Sequence, residues 1–67
     1  MTKREMENRL TELLDERYAI YIGSERRSDP TEVRNCNAAY YNGVCTAVAQ
    51  IGGWERREDG THYVKLN

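Results

Sequence analysis

Apolar residues recur at helical spacing through the first third of the chain. Met6, Leu10, Leu13, Leu14 and Tyr21 fall on one arc, with Glu5, Asn8, Arg9, Glu12, Asp15 and Glu16 on the other. Thr2-Lys3-Arg4-Glu5 has the form of a capping box, in which a threonine oxygen and a glutamate three residues later satisfy free amides at a helix start. The pattern predicts a helix from there to about Ile22. Its last stretch, Tyr18 to Ile22, is β-branched and aromatic enough to form a short strand instead. Arg17 falls inside the apolar arc, where its stem can pack and its guanidinium needs a carboxylate or a carbonyl.

Gly23 and the polar residues Ser24 to Ser28 read as a loop. A second helix should begin at Asp29-Pro30-Thr31-Glu32, with Asp29 as the N-cap and Pro30 in the first turn, and should run from Pro30 to Ile51. Val33, Tyr40, Val44, Ala47, Val48 and Ile51 share a face, of which Tyr40, Val44, Val48 and Ile51 are expected to be core. Gly52-Gly53 offers a left-handed helix end. Asn42-Gly43 admits a rival reading as a hairpin turn, opposed by the alanine-rich flanks and the sustained helical period. In the helical reading Ala39, Gly43 and Ala47 make a row of small residues that lets another helix approach closely.

Trp54 to Leu66 reads as a β-hairpin turning at Glu58-Asp59-Gly60. A three-residue loop with Gly60 left-handed pairs Arg57 with Thr61, and so sets Trp54 opposite Val64 and Arg56 opposite His62. A two-residue turn would set Trp54 opposite Lys65 and bury less. The expected fold is therefore a single α+β domain spanning residues 1–67: a two-helix hairpin followed by a C-terminal β-hairpin that covers it, in the order ααββ.

Charge narrows the function classes. Ten basic and eleven acidic residues give a net charge of −1, which supplies no general attraction to nucleic acid or to anionic membrane. At 67 residues the chain is near the lower limit for independent folding, where disulfides, a metal or a second subunit commonly help. Cys36 and Cys45 are nine apart, about 13 Å along one helix and on opposite faces, so no intrachain disulfide is expected. The amino terminus reads Lys3-Arg4-Glu5 where a secretory signal would be apolar, so reduced thiols and a cytoplasmic location are expected. The longest apolar run, Tyr18 to Ile22, is far too short to span a bilayer.

No constellation dictates a reaction. His62, the only histidine, could join Cys36 or Cys45 as base and nucleophile or as zinc ligands, but closely spaced Cys or His pairs are absent. Gly52-Gly53 lacks the lysine and hydroxyl of a phosphate-binding loop. Asp15 and Glu16 lie on the charged helix face, where solvation accounts for them. The expectation is no enzyme, no cofactor and no metal.

The segment Ile51-Gly52-Gly53-Trp54-Glu55-Arg56-Arg57-Glu58-Asp59-Gly60-Thr61-His62-Tyr63-Val64-Lys65-Leu66 resembles the end of a recognition helix and the following wing of winged-helix DNA-binding proteins. That resemblance implies wing contacts to nucleic acid from Arg56, Arg57, His62 and Lys65, with Arg34 on the helix before them. It covers about a quarter of the chain. The second helix departs from the family in carrying Arg34 as its one cation, where groove binding draws on several.

The unusual feature is an absence. From Asn35 to Gly53 nineteen residues pass without a charge, in a chain that is 31% charged. Solvated helix faces carry Lys and Glu, whereas the centres of interfaces are depleted in charge. Asn35, Ala38, Asn42, Thr46, Ala49 and Gln50 form a small, polar-neutral strip on that helix. The strip is expected to contact a protein partner or a second copy of the chain. The functional expectation is a non-enzymatic protein-interaction module, a homodimeric regulator or an inhibitor of another protein in a format common on phages and mobile elements, with a winged-helix-like regulator as the alternative.

Overall fold

The computed structural model describes all 67 residues and realises the ααββ order: α1 Lys3–Arg26, α2 Thr31–Ile51, β1 Gly52–Arg56 and β2 His62–Leu66. Thr2 caps α1 as its sequence requires, its Oγ1 accepting the Glu5 amide at 3.1 Å. Tyr18 to Ile22 is helical, because that geometry sends Tyr18 and Tyr21 to the same partner, the ring of Tyr41, at 5.2 and 5.9 Å.

Both helix junctions differ from the sequence reading. α1 does not stop at Ile22 but continues through Gly23 and the buried Ser24 to Arg26. The left-handed residue that ends it is Ser28 (φ 53°), with the amides of Ser28 and Asp29 returning to the carbonyls of Glu25 and Ser24. Asp29 does not cap α2. Pro30 holds the N-cap position without a side-chain bond, and the Asp29 carboxylate is taken by Arg27 at 2.9 Å. The Asp29 carbonyl accepts from Arg34 Nε at 2.8 Å, which ties the turn to α2.

α2 passes directly into β1, and the expected left-handed glycine end is not used, since the backbone of Gly52 is extended. Glycine is needed there for closeness. A Cβ on Gly52 would overlap the Lys65 carbonyl and lie 2.7 Å from Leu66 Cα, whereas one on Gly53 would meet nothing within 4 Å. The hairpin has the three-residue loop: Arg57 and Thr61 pair across it, Gly60 is left-handed (φ 88°), and Trp54 lies opposite Val64 and Arg56 opposite His62.

The hairpin lies over the helix pair with β2 along α1 and β1 along α2. The core is small, consisting of Leu14, Tyr41, Cys45, Val48 and Val64, with Leu10, Tyr18, Tyr21, Val44, Trp54 and Leu66 packed around it. The expected core face of α2 is thus rotated. Tyr41 and Cys45 are buried, while Tyr40 and Ile51 are each 52% exposed. The reason is that α2 carries apolar or small residues almost all round, so its own pattern cannot say which arc α1 and the sheet will cover. No helix is long and apolar enough to cross a membrane.

Candidate interaction surface

Two features stand out, a buried polar cluster and an uncovered apolar face. The cluster is built by β2 and both helices. In an antiparallel pair alternate amides turn away from the partner strand, and those of His62 and Leu66 turn from β1 toward α1. Asp15 Oδ1 accepts the His62 amide at 2.6 Å and Glu7 Oε2 accepts the Leu66 amide at 2.8 Å, so two carboxylates two turns apart on α1 close the outer edge of β2. Asp15 Oδ1 also lies 2.9 Å from His62 Nδ1. Since a carboxylate only accepts, Nδ1 carries a proton, and Nε2 on the other side of the ring lies 2.8 Å from the Tyr41 hydroxyl.

This chain of contacts has the partners of an acid–base relay but not the access. His62 is 1% and Tyr41 3% exposed, so neither reaches a substrate. Burial first, and Cys45 beside it, push the Tyr41 hydroxyl up to about 12. The cluster therefore locks the hairpin onto the helices. Asp15 is not merely solvated, as its place on a charged stretch suggested, and no sequence signal links it to a histidine 47 residues away. Beside it, Arg4, Glu7, Asn8 and Thr11 of α1 face Arg57 and Tyr63 across an open polar cleft that holds no group of three or more metal-binding side chains.

The residues suggested by the winged-helix resemblance are mostly engaged elsewhere. His62 is buried; Arg56 turns inward, its guanidinium 4.8 Å from the Tyr18 ring centre and 3.5 Å from the Tyr41 hydroxyl. Arg34 is held at the start of α2 by the Asp29 carbonyl and Thr31. Arg56, Arg57 and Lys65 are nonetheless exposed on the hairpin, with Arg57 donating to the Thr61 hydroxyl and the His62 carbonyl.

The second feature is the side of the helix pair turned away from the sheet. Of the strip expected to bind a partner, Asn35, Asn42, Thr46, Ala49 and Gln50 are exposed and Ala38 is half-buried. The apolar content sits on the adjoining arc. Val33, Cys36, Ala39, Tyr40, Gly43, Ala47 and Ile51 are all exposed, and the small-residue row does not seat α1, for a Cβ on Gly43 would meet nothing within 4 Å. α1 contributes to the same side. The arc read as one face divides: Leu10, Leu14 and Tyr21 point into the core, while Met6, which is exposed, and Leu13 and Ile20, which are half-buried, lie outside it.

Arg17 marks where the two helices meet on this side. It finds no carboxylate; its guanidinium stacks over the Tyr40 ring at 3.8 Å and its Nε has no hydrogen-bond partner. Both helices also carry a seven-residue period here, Met6, Leu13 and Ile20 on α1 and Val33, Tyr40 and Ala47 on α2. Residues seven apart stack along one helix side about 10.5 Å from each other, the spacing of a packing seam. That period was the sequence signal for this face, masked by the stronger core pattern beside it.

No family model, curated protein or solved structure matches the chain.

Proposed function

We propose that this chain is a non-enzymatic protein-interaction module whose contact surface is the sheet-free side of its helix pair. One observation carries the reading: six large apolar side chains are exposed, and four of them, Met6, Val33, Tyr40 and Ile51, fall by their helical spacing on that side, next to the charge-free strip. Exposed apolar surface gathered on one side, with the stacked Arg17 where the helices meet and an uncharged α2 stretch from Asn35 to Ile51, has the composition of an interface core, in which Tyr, Met and Arg are enriched. The strip of Asn35, Asn42, Thr46, Ala49 and Gln50 then serves as its polar rim. Two free thiols suit work in the cytoplasm, and a regulator or inhibitor acting by occupancy needs nothing more.

The experiment is position-specific photocrosslinking in the producing cells. A benzophenone amino acid at Ala47 should give an adduct that excess untagged chain competes away, and one at Tyr63 should give none. A saturable adduct from Tyr63 with none from Ala47 refutes the reading.

A further inference from the structure

We infer that the occupant of this surface is a second copy of the chain, packed back to back about a twofold axis to give an antiparallel four-helix bundle with the two hairpins outside. The inference rests on the interaction surface proposed above and names its partner. Three observations carry it.

The first is size. α1 has 24 residues and is about 36 Å long, and two packed helices are about 20 Å wide, so the sheet-free side presents about 700 Å². A standard interface takes about 800 Å² from each partner. The chain alone is also underfilled. It exposes 4818 Å², against about 4,400 Å² for a compact monomer of its 7.8 kDa, and its radius of gyration is 12.6 Å against about 11 Å.

The second is the register that self-packing allows. A twofold axis crossing the helices pairs α1 with its own copy and α2 with its own copy, antiparallel. Placed at Leu13, the axis sets Met6 against Ile20 of the other copy. The stacking of Arg17 on Tyr40 fixes the relative height of the helices, so residues whose numbers sum to about 57 lie level and the same axis crosses α2 at Gly43 and Val44. There it sets Tyr40 against Ala47 and Cys36 against Ile51. Each bulky residue of α2 meets a small one, and the crossing falls on the glycine, whose missing side chain permits close approach.

The third is charge. From Asn35 to Ile51 α2 is uncharged, so this stretch cannot repel its copy; the charges of α2, Glu32 and Arg34, lie in its first turn, away from the axis. On the exposed rim of α1, Arg9 and Glu16 lie nearly symmetrically about Leu13, so the axis brings each Arg9 to the Glu16 of the other copy, as flanking pairs do in coiled coils. A foreign partner would impose no such internal symmetry on the sequence.

Sedimentation equilibrium should give about twice 7.8 kDa at micromolar concentration. Arg9→Glu should weaken association about tenfold, and Arg9→Glu with Glu16→Arg should restore it. Ile51→Cys under mild oxidation should produce a covalent dimer through the native Cys36. Within one α2 these positions are about 22 Å apart, so the link can form only between copies. Adding Cys36→Ser should abolish it, and Thr46→Cys should not form it. A 7.8 kDa mass at every concentration up to several hundred micromolar overturns the inference. Failure of the double charge variant to recover, or linking from Thr46→Cys instead of Ile51→Cys, overturns the axis and register. A monomeric chain that still gives a saturable Ala47 adduct of foreign mass leaves the surface assignment standing and removes the second copy alone.

Discussion

Replacing Asp15 by alanine tests the account of the polar cluster most directly. Oδ1 of this residue accepts from both the backbone amide and the ring Nδ1 of His62, at 2.6 and 2.9 Å. The His62 side chain is fully buried, so water cannot replace the lost acceptor at the ring, although the Asp15 side chain, 38% exposed, leaves a path to the amide. One orphaned buried donor costs about 1–3 kcal/mol and a partly hydrated one less, so Asp15→Ala should lose about 2–4 kcal/mol. Better helix propensity returns only about 0.5 kcal/mol. A domain of 67 residues carries roughly 3–10 kcal/mol in total, so the variant should be near its unfolding threshold. Urea denaturation at fixed protein concentration measures this. Trp54, the only tryptophan, has its ring centre 6.0 Å from His62 and reports detachment of the hairpin, and circular dichroism reports the helices. Glu12→Ala, at an exposed position of the same helix without hydrogen bonds, is the control and should stay within about 0.5 kcal/mol. If Asp15→Ala unfolds at the urea concentration of Glu12→Ala, the cluster does not hold the hairpin.

Tyr41→Phe should cost about 1–3 kcal/mol in the same assay by leaving His62 Nε2 buried without a hydrogen-bond partner, and should be non-additive with Asp15→Ala because both act on one ring. Gly52→Ala should destabilise by about 1–3 kcal/mol, because backbone atoms of Lys65 and Leu66 must move, while Gly53→Ala stays within about 0.5 kcal/mol in thermal melts; equal effects would refute the close-approach argument. The carboxyl of Asp59 is held below the usual aspartate value first by the Thr61 hydroxyl and then by the Thr61 amide. A depressed folded-state pKa gives stability that is present above the ordinary value near 3.9 and is lost as pH falls below it through the lowered one. NMR titration should therefore place the Asp59 midpoint below that of an unbonded aspartate, and Thr61→Ala should raise it.

The sequence by itself determined the elements and their order, because those follow from near neighbours. The Thr2 capping box, the 3.6-residue period of α1 and α2, and Glu58-Asp59-Gly60 each specify a local geometry. The alternation around that turn also set the strand register, Trp54 against Val64. What lay beyond was decided by contacts between elements. α1 ran past Gly23 because Ser24 is buried against its neighbours and a left-handed Ser28 about one turn later could close the helix. Asp15 became part of the core because β2 turned an amide and a histidine toward it, and a polar residue cannot announce a partner 47 positions away. The buried arc of α2 was undetermined for a related reason. A helix apolar or small on nearly every side satisfies any partner, so only the placement of α1 and the hairpin selected Tyr41, Cys45 and Val48, and left Val33, Tyr40 and Ile51 outside.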